Sequence, residues 1–220
     1  MIEITSTEVF GWDAAIRGMR NPYNSWDKSD SKSWRESIVE QSVDFRVVGK
    51  NDRALMMRLI RAGSDHAKFM RMINVTADIT APLYYWKEYD VYKVGTVANS
   101  CSTMHTIADK EFTWDDFSCE HLDAVSTLCL EDTIRLLNSA RKAYNADKSN
   151  KGAWWQLIQL LPSSYNQMRT VQLNYAVLRN MYHARRNHKL DEWRDFCSWV
   201  ESLPYAELIT QTGGIDNGKD

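Results

Sequence analysis

The chain has 220 residues, enough for one sizeable hydrophobic core, and its formal net charge at pH 7 is −2. This near neutrality excludes the global attraction of a generic DNA-binding protein or of an anionic-membrane binder, so an anion site must be local. We therefore expect no nucleic-acid partner and no membrane partner. The absence of a signal-peptide pattern at Met1–Thr5 and the lack of Cys-x-x-Cys spacing indicate reduced thiols in a cytoplasmic protein.

The N-terminal segment predicts a helix followed by an ordered loop. Residues 7–17 carry apolar side chains near helical spacing, Ser6 is a candidate N-cap, and Asn21-Pro22 is a stop signal. Residues 21–31 are polar and turn-forming but contain two aromatic side chains, so we expect an ordered loop held to the surface by Trp26. In a second interpretation, the loop forms one wall of an anion site with Arg17, Arg20, Asn24 and Ser25.

A strand and a helix are predicted next. Residues 44–48 alternate as in a strand, and the following Gly-Lys-Asn-Asp sequence leads into a helix that Asn51 or Asp52 caps. This helix runs to about Arg61 and ends at Gly63, a residue that tolerates the left-handed conformation common after helices.

The central segment changes its period twice. Residues 75–81 alternate between apolar and polar, which predicts a half-buried strand. Pro82 then opens a short aromatic helix to Tyr89, because proline is favoured in the first helical turn. The small and hydroxylated residues 93–103 show no helical period, and we expect a loop there.

The C-terminal half is predicted to be helical. Residues 113–116 form a helix-start signal, and apolar residues at helical spacing continue to about Tyr144, followed by a polar connector at 147–152. Residues 163–190 contain basic but no acidic side chains. In a helix there, four residues lie on one face and would line one wall of a groove, whereas Arg169, Arg179 and Arg186 are interpreted as solvated. The four residues on that face are Asn174, Leu178, Met181 and Arg185.

Two segments resemble the flavin-dependent thymidylate synthases. After Ala81-Pro82 that family carries the signature Arg-Gln-Trp-x-Arg-His-Arg-x-x-Ser-x-Asn-Glu-x-Ser. Later it has Leu-Pro, an Asn and, eleven residues on, an Arg, which here resemble Leu161-Pro162, Asn174 and Arg185. The family holds flavin and nucleotide with the second Arg and the His of the signature. Aligned without gaps, the signature falls on Lys87, Glu88, Tyr89, Val91, Tyr92, Lys93, Thr96, Asn99 and Cys101.

The resemblance implies an α+β fold, with a small antiparallel sheet flanked by helices and a helical C-terminal half. It implies one domain over residues 1–210, and the Gly-rich, polar residues 211–220 are expected to form a disordered tail. It also implies reductive methylation of dUMP in a homotetramer, with FAD as cofactor, a methylene-folate as carbon donor and NADPH as reductant. The implied substrate-binding residues are Lys87, Glu88, Cys101 and Arg185. The implied flavin-binding residues are His66, Tyr92, Lys93, Thr96, Asn99 and Asn174.

The sequence is also compatible with other functions. Cys101 could act as a nucleophile, although a structural thiol is favoured because no base adjoins it in the sequence. The five histidines lack metal-ligand spacing, so we expect no metal site. A homologue that kept the fold but changed or lost the reaction is the second hypothesis. The third is a non-enzymatic helical protein whose basic helix docks an acidic partner.

Overall fold

The computed structural model describes residues 2–38 and 41–212, so most of the predicted disordered tail lies outside the described residues. The chain forms two compact units. The first unit comprises Met1–Thr7, Thr76–Gln172 and Asn187–Phe196, and the second comprises Glu8–Val75, Leu173–Arg186 and Cys197–Asp220. In the described part, none of the helices combines the length and apolar character that a membrane crossing requires. The prediction of a single domain over residues 1–210 stays a prediction.

Strands and helices are interspersed along the described chain. The strands are β1 (Glu3–Phe10), β2 (Lys32–Ile38), β3 (Gln41–Val47), β4 (Asn74–Pro82), β5 (Val97–Ser100) and β6 (Asn166–Asn174). The helices are α1 (Trp12–Arg20), α2 (Lys50–Arg61), α3 (Leu83–Tyr89), α4 (Thr103–Thr106), α5 (Ala124–Ala146), α6 (Lys151–Leu160), α7 (Tyr175–Arg185), α8 (Asp191–Glu201) and α9 (Glu207–Thr210).

A four-stranded sheet has the strand order β1-β4-β6-β5, and β2 and β3 form a separate antiparallel hairpin. Strand β5 pairs antiparallel with β6, so that Val97 lies opposite Gln172 and Ser100 lies opposite Arg169. The predicted α+β class, a small antiparallel sheet flanked by helices, is confirmed.

The central strand and the aromatic helix are also confirmed. Along β4, Val75, Ala77, Ile79 and Ala81 are buried and alternate with half-buried polar residues, as the period-2 pattern predicts. Pro82 is the N-cap residue of α3 in extended conformation, so the missing proline N–H costs the helix no hydrogen bond.

The N-terminal helix begins later in the sequence than predicted. The first residues of the predicted helix belong to β1, and Ser6 has a positive φ of 51° within that strand instead of capping a helix. The helix α1 starts after Gly11, whose φ of 93° and whose approach to the carbonyl of Met72 leave no space for a Cβ. Mostly exposed, β1 lacks the alternation by which a strand is recognised.

Three further boundaries differ from the prediction. The cap of α2 is the carboxylate of Asp30, which accepts the backbone N–H groups of Asn51 and Asp52 at 2.9 and 3.1 Å. Segment 93–103 is not entirely loop, because it contains the edge strand β5 and the start of α4, and every residue of β5 is exposed. The signal at 113–116 forms a single 3-10 turn closed by a capping box, and the long helix α5 starts later, at the N-cap Asp123.

A buried ion pair organises the loop that follows α1. The Nε of Arg20 donates to Asp52 Oδ1 at 2.6 Å, and these side chains are 4% and 0% exposed. The other carboxylate oxygen accepts from the hydroxyls of Ser29 and Ser31 at 2.7 and 2.6 Å. Trp26, the predicted anchor, is half exposed, and its indole N–H donates to Asn21 Oδ1 within the same loop. The loop is held from inside, by charge.

Replacing Asp52 by Ala should lower the free energy of unfolding by about 3–5 kcal/mol, because it leaves the Arg20 guanidinium buried without its counter-charge. Urea denaturation measures this difference. The matched control is Asp13→Ala, which removes the exposed partner of Arg46 and should cost at most about 1 kcal/mol. Equal losses in the two variants would contradict the structural role of the buried pair.

The same ion pair predicts a dependence of stability on pH. Burial alone would raise the pKa of Asp52, but hydrogen bonds from Ser31, Ser29 and Arg20 outweigh it and hold the pKa below its usual range. The stabilisation is therefore fully present above about pH 4 and is lost as the pH falls through the lowered pKa. The acid-induced loss of stability should be smaller in the Asp52→Ala variant than in the unaltered protein.

Candidate functional site

Most of the predicted site residues lie in the first unit, along one continuous segment from α3 to the turn after β5. Lys87 is exposed on α3 and Glu88, beside it, is half-buried. The opposite side of this short helix is buried, with Trp86 and Tyr89 packed edge to face at 5.1 Å. The aromatic face therefore fixes the helix, and the charged residues project from its outer side.

The connection between α3 and β5 carries three predicted flavin-binding residues. Lys93 is exposed, whereas Tyr92 and Thr96 are half-buried. The Thr96 hydroxyl donates to the carbonyl of Tyr92, which closes the turn. The ring of Tyr92 meets Trp193 edge to face at 6.0 Å. Tyr92 thus contributes to internal packing at the position where the family's signature has a histidine.

Asn99 and Cys101 lie at the outer edge of the sheet. Asn99 is exposed on β5, opposite Thr170 of β6. The backbone of Cys101 is held on both sides, because its N–H donates to Met168 O at 3.0 Å and its carbonyl accepts from Gln167 Nε2 at 2.9 Å. The thiol itself is exposed, so this backbone anchoring presents it to the solvent.

A cleft of ≈ 670 Å³ opens beside Cys101. In its lining, the ammonium of Lys110 lies 2.5 Å from Asp116 Oδ1, so the lysine charge is already paired. Burial raises the pKa of Tyr165, and the nearby Asp116 carboxylate adds to the effect, so this phenol stays protonated at neutral pH. The cleft offers hydrogen-bond donors and acceptors and an exposed thiol. Its local charge does not favour a phosphate.

The second unit contains the remaining predicted residues. Asn174 and Arg185 lie at the two ends of α7, about 16 Å apart at 1.5 Å per residue. The Asn174 side-chain oxygen accepts the N–H of Val177 at 3.1 Å and caps the helix, which leaves its Nδ2 group as the donor for a ligand. Arg185 is half-buried, and His66 is exposed in the turn after α2.

The predicted groove wall on α7 is only partly correct. Leu178 and Met181, between the two polar ends, are fully buried, so the middle of this face packs inward. The interpretation of three arginines as solvated holds for Arg186. It is wrong for Arg179, which is buried and donates to the carbonyl of Ile209 at 3.0 Å.

The interpretation as a solvated residue is also wrong for Arg169, whose side chain is 15% exposed and donates to Asp90 Oδ1 at 2.8 Å. Burial, with the positive charge of Arg179 as a second cause, lowers the pKa of His183, so this histidine is neutral at pH 7. Much of the basic character of residues 163–190 therefore serves internal contacts.

Sequence reasoning missed two polar residues that join the predicted site. Gln167 and Arg169 are two residues apart on β6, so they lie on the same face of the strand as the buried Val171 and Leu173. A strand with alternating Val171 and Leu173 was visible in the sequence. Extending its period toward the N-terminus would have placed the two polar residues on the inward face.

The fold resembles those of solved enzymes that act on dUMP. A structure of thymidylate synthase X (ThyX) from Helicobacter pylori with FAD and dUMP has a TM-score of 0.68 at 15% identity, and the match covers 96% of this chain and 98% of that chain. The UMP/dUMP methylase PolB from Streptomyces cacaoi bound with 5-Br dUMP has a TM-score of 0.62 at 14% identity, with 97% of each chain covered.

No protein-family model matches this sequence, and no curated protein matches it either. The resemblance to flavin-dependent thymidylate synthases is confirmed at the level of the fold. Among the described residues, no group of three or more His, Cys, Asp or Glu side chains could hold a metal ion.

The two uses of Asn174, capping and ligand binding, can be separated by substitution. Asn174→Ala should cost about 1 kcal/mol of stability through loss of the N-cap, as measured by urea denaturation. Asn174→Asp keeps the accepting oxygen and adds a charge that the helix N-terminus favours, so its stability should match that of the unaltered protein. The Asp variant keeps the cap and replaces the Nδ2 donor by a charged acceptor. If both variants were equally destabilised, the cap would not explain the role of Asn174 in the fold.

Proposed function

We propose that this protein is an FAD-dependent enzyme that methylates dUMP to dTMP, with a methylene-folate as the carbon donor. The observation that carries the proposal is the fold, which matches ThyX over 96% of this chain. It is supported by the accessible polar side chains on the α3–β5 segment, where the sequence resembles the family signature.

The residues of this segment fit a flavin dinucleotide at some positions and not at others. A pyrophosphate and a ring edge rich in acceptors need positive charge and hydrogen-bond donors. The exposed ammonium of Lys93 and the exposed amide of Asn99 supply them. Tyr92 fits less well because its ring packs against Trp193. When bound in reduced form, the flavin supplies the hydride of the reaction.

In this proposal, the chain's own residues bind and orient the nucleotide. Arg185 binds the phosphate, since a planar guanidinium can make two parallel charge-assisted hydrogen bonds to it. Lys87 adds positive charge, and Glu88 accepts hydrogen bonds from the nucleotide. The thiol of Cys101 contacts the substrate without forming a bond to it. The protein would act mainly by positioning and by positive charge, so no residue of the chain is assigned as a nucleophile.

A second candidate function is nucleotide or flavin binding without methylation. The specific observation in its favour is the pair Val91 and Tyr92, at the positions of the signature's second arginine and histidine. Val91 is 63% exposed and carries no polar group, and Tyr92 packs internally. Losing an arginine that stabilises developing charge can cost orders of magnitude in rate while binding survives.

The third hypothesis, a basic helix that docks an acidic partner, receives less support. In α7, Leu178, Arg179, Met181 and Tyr182 are all buried. A helix with that much of its surface packed inward is an interior element, and it offers a partner mainly its exposed C-terminal end.

The purified protein, incubated with FAD and desalted, should retain the visible absorbance of oxidised flavin. With dUMP, methylene-folate and NADPH it should then form dTMP, detected by mass. Mass photometry of the same sample tests the proposed homotetramer. A protein that retains no flavin would exclude the flavoenzyme, and retained flavin without dTMP would favour the second candidate.

Substitution of Arg185 tests the nucleotide site. Arg185→Ala should weaken dUMP binding by about 1.5–3 kcal/mol, the typical value of a hydrogen bond to a charged group, as measured by calorimetry. The control is Lys142→Ala, which removes an exposed cation on α5 and should leave dUMP binding unchanged. If the two variants lost equal affinity, a general charge effect would replace the assigned phosphate contact.

A further inference from the structure

Gln167 makes three hydrogen bonds to three different residues, two through its side chain and one through its backbone. Nε2 donates to the carbonyl of Cys101 at 2.9 Å, and Oε1 accepts from Arg169 Nε at 3.1 Å. The backbone carbonyl accepts from Trp86 Nε1 at 2.9 Å. Gln167 is 8% exposed, and both ends of its amide are used. A buried amide with fixed partners at both ends has one favoured orientation.

Arg169 extends this network to the end of α3. Its NH1 group donates to Asp90 Oδ1 at 2.8 Å, directly after the helix. Its guanidinium also lies over the Trp86 ring, 4.2 Å from the centroid, within the range of a cation–π contact. Arg169 therefore contacts both the helix and Gln167, and its charge is balanced by Asp90.

The two residues are spaced so that they act together. Positions 167 and 169 of β6 project to the same face of the strand, and the residue between them, Met168, accepts the N–H of Cys101 at 3.0 Å. The strand thus bonds the Cys101 turn through its backbone and through Gln167, and it bonds α3 through Gln167 and Arg169.

We propose that Gln167 and Arg169 are positioning residues. Through Trp86, Asp90 and the Cys101 carbonyl, they hold α3 and the turn after β5 at a fixed separation. The substrate-binding residues Lys87 and Glu88 are on the first of these elements, and Cys101 is on the second. The bracing is a property of the fold, whereas its effect on nucleotide binding rests on the proposed function.

The need for bracing follows from the exposure of the segment. All four residues of β5 are exposed, and among the described residues no strand pairs with the outer edge of β5. Short edge strands with few buried contacts open at low free-energy cost. Bonds from the inward face of β6 hold such a strand where its own packing cannot.

Amide hydrogen exchange tests the bracing without any ligand. Gln167→Glu keeps an acceptor for Arg169 but replaces the donor to Cys101 by an oxygen. Exchange in the peptide covering 97–102 should become about tenfold faster, roughly the effect of losing one net hydrogen bond. Arg169→Met keeps the apolar stem and should speed exchange in 83–92 instead. The peptide covering α5 should exchange at an unchanged rate, which excludes general unfolding.

The matched control is Gln172→Ala, a change on an exposed position of the same strand, which should leave exchange in 83–92 and 97–102 unaltered. Faster exchange in all peptides, or unchanged exchange in both segments, would overturn the bracing. Faster exchange of 97–102 in Gln167→Glu alone and of 83–92 in Arg169→Met alone would support the bracing.

Calorimetric titration with dUMP tests the positioning role. Gln167→Glu and Arg169→Met should each raise the Kd at least about tenfold, because small displacements of binding groups are costly, and Gln172→Ala should not. Unchanged affinity in variants with faster local exchange would overturn the positioning role. If the unaltered protein bound no dUMP, the proposed function would fail, and the exchange experiment would still decide the bracing.

Discussion

Strand β6 is the element on which the rest of the structure depends, because it is paired on both sides, with β4 and with β5. A strand with two paired edges has no freedom of register, and a shift by one residue would move every side chain to the opposite face. Its pleat therefore decides that Gln167 and Arg169 point inward with Val171 and Leu173. The same strand ends at Asn174, whose side-chain oxygen caps α7.

Charge is used locally in this nearly neutral protein. Arg20 pairs with Asp52 inside the second unit, and Arg169 pairs with Asp90 in the first. Such pairs hold specific elements in place because an unpaired partner would be costly to bury. Lysines remain mostly at the surface, as at Lys87 and Lys93, where an ammonium group stays hydrated. An anion would find positive charge at these exposed positions, whereas the charges of Arg20 and Arg169 are already paired with carboxylates. A net charge near zero is therefore compatible with a local anion site.

The sequence predicted elements whose periodicity reflects one-sided burial. Strand β4 alternates because one face is buried, and α3 was recognisable from Pro82 and its aromatic face. Strands β1 and β5 were missed because their mostly exposed residues are not selected for alternation. The candidate residues of the α3–β5 segment were predictable from the spacing of a signature. Their supports were not, since the bond between Gln167 and Cys101 joins residues 66 positions apart. Sequence spacing carries no information about such a pair unless the strand register is known.

Val91 and Tyr92 lie at the positions where the resembled signature has an arginine and a histidine, and the turn after α3 has a different physical role here. Tyr92 packs on Trp193, which itself contacts Tyr85 at 4.8 Å, so the turn joins the aromatic cluster that fixes α3. Where the resembled signature has polar ligand-binding residues, this turn has packing that stabilises the neighbouring helix. Under the proposed function, the charge lost from the turn must come from flexible ammonium groups at Lys87 and Lys93. Flexible side chains lose more rotamer freedom when a ligand binds than a pre-organised arginine does, which weakens binding. A rigidly placed backbone reduces this loss of rotamer freedom only in part. The bracing of α3 by Gln167 and Arg169 contributes to this partial reduction.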